Sequence, residues 1–157
     1  MEFMYELRIL LHVVIASVLG GIIGYEREKT DKPAGIKTNM IVGGSVTLLV
    51  SLGEAITVHF QNLGLGEVMQ TDPTRIIQAI IVGVSFIGAG TVMQVQKVYK
   101  VKYLTTAASI LYSTGVGISV ALGQYILAVG LTIFILIIYY PIKWIEERFI
   151  KKPHEDE

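Results

Sequence analysis

Residues 103–142 read YLTTAASILYSTGVGISVALGQYILAVGLTIFILIIYYPI, a long stretch without one charged side chain. A helix crosses the hydrocarbon core of a bilayer in about 20 residues, so this run is too long for one crossing and right for two. Leu122-Gly123-Gln124 falls near its middle, where the glycine can supply a turn. The stretch predicts two transmembrane helices joined as a tight hairpin.

Upstream, charges punctuate three further apolar runs. Ile76–Gln96 is uncharged and follows Asp72-Pro73-Thr74-Arg75, in which Asp72 can cap a helix and Pro73 suits its first position. Thr38–Gly53 continues beyond Glu54 through Val58, and Ile9–Tyr25 carries no charge beyond what His12 can take up. The segment Glu26-Arg27-Glu28-Lys29-Thr30-Asp31-Lys32-Pro33 closes that first run. Thr105 or Thr106 is expected to cap the fourth helix, and Tyr139, Tyr140 and Trp144 suit an interfacial belt at the end of the fifth. The fold class is all-α: a polytopic membrane bundle of about five transmembrane helices over residues 1–145, with a short polar cytosolic tail over 146–157.

Composition agrees. The chain is 52% hydrophobic and 17% charged, with a mean hydropathy of +0.60, which suits lipid rather than water. Lys plus Arg and Asp plus Glu each number 13, so no net charge draws the chain to nucleic acid. Without cysteine there is no disulfide, thiolate metal site or cysteine nucleophile. Glu2 and Glu6 spoil the basic start of a signal peptide, so the first span is expected to stay on the protein. No enzyme is expected: Ser45 and Ser85 have no histidine at their depth, and Gly88-Ala89-Gly90 lacks the preceding strand of a dinucleotide loop.

Orientation follows from the basic residues. Five spans put Arg27, Lys29, Lys32, Lys37, Lys97, Lys100, Lys102, Lys143, Arg148, Lys151 and Lys152 on one side and leave Arg8 and Arg75 on the other. The heavy side is the cytosol, so the N-terminus lies outside and the C-terminus inside. Small residues should knit the helices together, because lipid provides no hydrophobic drive for their association. Gly20, Gly21 and Gly24 serve the first span, Gly43 and Gly44 the second, Gly83, Gly88 and Gly90 the third, and Gly115 and Gly117 the fourth. The fifth, rich in bulky aliphatics, is expected at the periphery. Gly88-Ala89-Gly90 has a second reading, in which the third helix breaks there and bares carbonyls to an ion.

Three motif groups stand out. The first is Gly24-Tyr25-Glu26-Arg27-Glu28 leading to Pro33-Ala34-Gly35-Ile36-Lys37-Thr38. The second is Asp72-Pro73-Thr74-Arg75-Ile76 leading to Gly83-Val84-Ser85-Phe86-Ile87-Gly88-Ala89-Gly90-Thr91, and the third is Leu104-Thr105-Thr106-Ala107-Ala108-Ser109. In order and spacing they resemble the MgtC/SapB family of bacterial membrane proteins, over nearly the whole chain. Lys37 stands where that family usually has Arg, and Tyr103 where Gly usually precedes the Leu-Thr-Thr-Ala run. The resemblance implies a five-helix inner-membrane domain serving growth under magnesium limitation, acid tolerance and survival of pathogens inside host cells. It also implies a membrane protein partner such as the ATP synthase. Functions carried by the cytosolic domain that family members place after the last helix fall outside these residues.

The candidate functional residues are Glu26, Arg27, Pro33, Gly35, Lys37, Thr38, Glu54, Asp72, Arg75, Gln78, Gly88, Gly90, Thr105 and Thr106. Glu26 and Arg27 read either as a structural ion pair beside a fixed turn or as a charged cytosolic vestibule for a partner. Asp72 and Arg75 share a helix face, and Gln78, one turn further in, calls for a polar partner that hydrocarbon cannot supply. Glu54 is the carboxylate inside an apolar span, and such groups are functional candidates. Magnesium is the expected ligand or substrate if there is one: Glu54 and Asp72, with Glu67, are the metal candidates, since Mg2+ takes one or two carboxylates and several waters. His12 and His59 are isolated and carry no metal spacing. The expected function is regulation through helix contacts with a partner or with a second copy in a homo-oligomer. The alternative is an oligomeric magnesium or other cation transporter or channel.

Overall fold

The computed structural model describes residues 2–64, 72–93 and 103–145, with backbone alone for residues 2, 93 and 140–145. Five helices fill these residues: α1 (Glu2–Lys29), α2 (Ile36–Asn62), α3 (Pro73–Met93), α4 (Leu104–Ala121) and α5 (Tyr125–Ile145). The first four are long and apolar enough to cross a membrane, while α5 is apolar over Tyr125–Tyr139 and continues as helix to Ile145. The bundle is all-α, as its sequence predicts. Lys97, Lys100, Lys102, Glu67, the side chains of Tyr140 and Trp144, and residues 146–157 lie outside what the structure describes.

The uncharged forty-residue run breaks at Gly123, near its middle. Gly123 has φ +71, and its N–H and that of Gln124 close the end of α4 by bonding the Val120 and Ser119 carbonyls at 2.9 and 2.8 Å. α5 then starts at Tyr125 and packs against α1 and α4 only, with Ile126, Val129, Ile133 and Phe134 exposed on its outer side. It is peripheral, as expected.

α4 is the hub and touches each of the other four helices. One apolar cluster joins Ala16 and Ile23 of α1, Val116 and Val120 of α4, and Ala128 and Ile135 of α5. A second joins Val42 and Val46 of α2, Ile80 and Val84 of α3, and Ile110 of α4. Between them α1, α2 and α4 meet backbone to backbone. A Cβ on Gly43 would stand 2.8 Å from the Ala16 carbonyl oxygen, and one on Gly117 would stand 2.7 Å from the Gly43 carbonyl oxygen. No larger side chain fits at either crossing without moving a helix.

α3 departs from the expectation that its small residues crowd an interface. It buries one narrow stripe, Ile80, Val84 and Gly88, whereas Gly83 and Gly90 face open space. The helix also runs unbroken through Gly88-Ala89-Gly90, so no carbonyls are bared there. Gly88 is used for packing, against Ala107 of α4.

Candidate functional site

At the end of the bundle where α1 turns into α2, residues from three segments converge on Arg27. The last turn of α1 is held by Thr30, whose hydroxyl donates to the Glu26 and Arg27 carbonyls at 3.0 and 3.1 Å. The Lys32 N–H returns to the Arg27 carbonyl at 3.0 Å, and Asp31 and Ala34 take left-handed φ values of 52° and 57° to bring the chain around. Gly35 then precedes α2 in extended conformation, and the Glu28 carboxylate accepts the free N–H of Ile36 at 3.0 Å. The Pro33-Ala34-Gly35 motif is thus a turn with a borrowed cap.

That turn offers the Pro33 carbonyl to Arg27. The guanidinium, 1% exposed, donates from Nη2 to Pro33 O at 3.3 Å and to the Thr106 hydroxyl, and from Nη1 to the Thr105 hydroxyl at 3.4 Å. Tyr139 of α5 borders the same small cavity as Glu26, Arg27, Thr30 and Lys32, whose volume of about 20 Å3 is enough for one water. The planar fork of arginine suits several neutral acceptors held at fixed positions.

Two sequence expectations change here. Thr105 and Thr106 do not cap α4: Tyr103 occupies the N-cap position without a side-chain bond, and both threonine hydroxyls accept from Arg27 instead. Tyr103 has φ 66, a left-handed conformation that glycine takes at least cost, so glycine suits this position in the family pattern. Glu26 and Arg27 are not an exposed ion pair. Both are buried, at 5% and 1% exposure, no ion pair joins them, and Glu26 Oε2 and Arg27 Nε have no hydrogen-bond partner among the described residues.

From Arg27 a polar seam continues into the bundle. Asn39, fully buried, donates from Nδ2 to the Ala34 and Gly35 carbonyls at 2.5 and 3.1 Å and accepts from the Ser113 hydroxyl at 2.8 Å. Ser109 bonds the Thr106 carbonyl at 2.8 Å, and Thr47 bridges the Gly43 and Gly117 carbonyls at 3.0 and 2.8 Å. Asn39, Thr47, Ser109 and Ser113 are not among the sequence candidates. Their signal is a spacing: Asn39, Gly43, Thr47 and Ser51 recur every fourth position of α2, and Thr106, Ser109, Ser113 and Gly117 form the facing stripe of α4.

The remaining candidates are dispersed. Lys37 is exposed and Thr38 partly so, and neither joins the Arg27 cluster. Asp72 caps α3 as predicted, accepting the Thr74 N–H at 2.9 Å and its hydroxyl at 2.6 Å, with Arg75 at 3.8 Å. The Thr74 hydrogen bonds, chiefly that of its hydroxyl, hold the Asp72 carboxyl below the usual carboxylate range. Gln78 faces outward from α3 and does not mark a polar interior within this chain. Glu54 lies at the opposite end from Arg27, in a separate cavity that Asp72 does not line. No group of three or more His, Cys, Asp or Glu among the described residues is placed to hold a metal ion.

The MgtC family model matches residues 13–148, from within α1 past the end of α5. The chain belongs to the MgtC family. Among its relatives, protein SapB of Bacillus subtilis is 34% identical over 87% of this chain and 57% of its own length. Putative magnesium transporter YhiD of Escherichia coli is 30% identical over 82% of this chain and 58% of its own length, and protein MgtC of Brucella abortus 35% over 77% and 45%. The chain spans about half the length of the curated relatives it matches. No solved structure matches it. Its apolar helices and its place in the MgtC family make it a multi-pass protein of the bacterial inner membrane.

Proposed function

We propose that the chain is a non-enzymatic regulatory protein of magnesium-limited or acid-stressed growth, acting through helix contacts with a membrane partner such as the ATP synthase or with a second copy of itself. The observation that carries this reading is the closed centre of the bundle. α1, α2 and α4 touch backbone to backbone at Gly43 and Gly117, and Asn39 and Thr47 bond carbonyls and one serine between helices, which closes the seam among these three helices to a hydrated ion. The Arg27 end, with its basic α1–α2 turn, is the cytosolic end in this reading. The outward face of α3, with Gln78, Gly83, Phe86 and Gly90 exposed, is the surface for the partner or second copy.

The transporter reading draws on the name of YhiD, and it requires a path between copies. Magnesium uptake into proteoliposomes, beside growth of a deletion strain at limiting magnesium, separates the two. Regulation predicts no uptake above empty liposomes from correctly inserted protein, and growth restored by the wild-type chain but not by Arg27→Met. Uptake that Glu54→Gln abolishes would replace the regulatory reading with the transporter.

A further inference from the structure

At the end of the bundle opposite Arg27 lies a cavity of about 330 Å3, walled by Tyr5, Arg8 and His12 of α1, by Ser51 and Glu54 of α2, and by apolar side chains of α2 and α3. That volume falls in the range of small-molecule sites, roughly 300–1,000 Å3. Arg8 and Glu54 line it with opposite charges, yet the one ion pair within 4.0 Å among the described residues is Arg75 with Asp72. Ser51, 3% exposed, lines the cavity beside Glu54. The hydroxyls of its neighbours on the same helix, Thr47 and Thr57, are both bonded to carbonyls. His12 is held in place, its Nε2 on the Tyr125 hydroxyl at 2.5 Å, which ties α1 to the start of α5 beside the cavity.

A divalent cation would meet one carboxylate and the repulsion of Arg8, and a simple anion would meet Glu54. A ligand carrying both signs satisfies both walls. We propose that this cavity binds a zwitterion, with its phosphate or carboxylate toward Arg8, its primary ammonium toward Glu54 and the Ser51 hydroxyl as an added partner. Guanidinium pairs well with either anion, and a hydroxyl lining the cavity can add a bond to the ligand. The headgroup of phosphatidylethanolamine and free glycerophosphoethanolamine share this chemistry.

Native mass spectrometry of the full chain released from nanodiscs of mixed phosphatidylethanolamine and phosphatidylglycerol tests the lipid source. Titration of glycerophosphoethanolamine onto protein in phosphatidylglycerol discs tests the free one. Binding of either zwitterion, weakened roughly tenfold or more by Arg8→Gln and by Glu54→Gln, is the expected result. Both side chains are exposed, so the fold should survive, and thermal unfolding checks that it does. Equal retention of phosphatidylglycerol, binding unchanged in both variants, or no binding of either probe overturns the proposal. None of these readouts depends on magnesium or growth, so the site stands or falls apart from the regulatory reading.

Discussion

Replacing Asn39 by leucine keeps the branching at Cγ and removes all three of its side-chain hydrogen bonds, to Ala34 O, Gly35 O and Ser113 Oγ. At a net value of about 1 kcal/mol each the loss would be about 3 kcal/mol. Part of it returns: the Ser113 hydroxyl can rotate to a carbonyl of its own helix, and Gly35 O keeps the Asn39 N–H at 3.2 Å. Ala34 O is left without that donor, so the expected destabilisation is about 2 kcal/mol. The added apolar atoms offset little of this, because lipid solvates leucine as well as a helix interface does. The bond between α2 and α4 can be isolated in a double-mutant cycle of Asn39→Leu with Ser113→Ala, whose coupling should be about 0.6 kcal/mol and no more than about 1.7 kcal/mol. Reversible unfolding of the purified protein in mixed micelles, followed by circular dichroism, measures both. Asn39→Leu within about 0.5 kcal/mol of wild type, the range of ordinary surface changes, would refute the role given to Asn39 in joining the turn to α4.

Alanine at Gly43 or Gly117 must push a backbone aside and should cost about 1–3 kcal/mol, whereas Gly83→Ala and Gly90→Ala enter open space and should stabilise their helix by about 0.5–1 kcal/mol; unfolding in the same micelles reads the opposite signs. Tyr103→Gly should stabilise the chain, since a left-handed residue other than glycine costs about 1–2 kcal/mol and the entropy cost of glycine returns only part of that; an unchanged unfolding midpoint would argue against the backbone assigned to Tyr103. Because the Asp72 carboxyl is held below its ordinary range by Thr74, its contribution to the start of α3 is fully present above that range and is lost as pH falls through the lowered value. The protection of the Thr74 amide, its exchange rate relative to that of an unstructured peptide at the same pH, should fall over that acidic window, and Asp72→Asn, which keeps a capping oxygen but does not titrate, should remove the dependence.

The spans were legible because a bilayer reads length and charge, which are local properties. The turn at Gly123 and the Asp72-Pro73 start of α3 follow from residues within a few positions of one another, and the structure places both where the sequence puts them. Arg27 was legible as a candidate, but its partners were not. Thr105 and Thr106 stand 78 and 79 positions away, and nothing local distinguishes a threonine that caps a helix from one that accepts a guanidinium. Gln78 misled for a related reason: polarity in a span demands a partner without saying on which side of the helix the partner sits.

The placement of α4 sets an order for assembly. The α1–α2 hairpin emerges from synthesis first, with Arg27, Asn39 and Thr47 already inside it, yet the Thr106 hydroxyl, Ser113 and the Gly117 carbonyl that these residues use arrive only with α4. α3 touches the bundle along a single stripe and supplies none of those bonds. A chain halted after α3 therefore presents an unfinished polar surface within the bilayer, and insertion of the fourth helix is the step that supplies its partners.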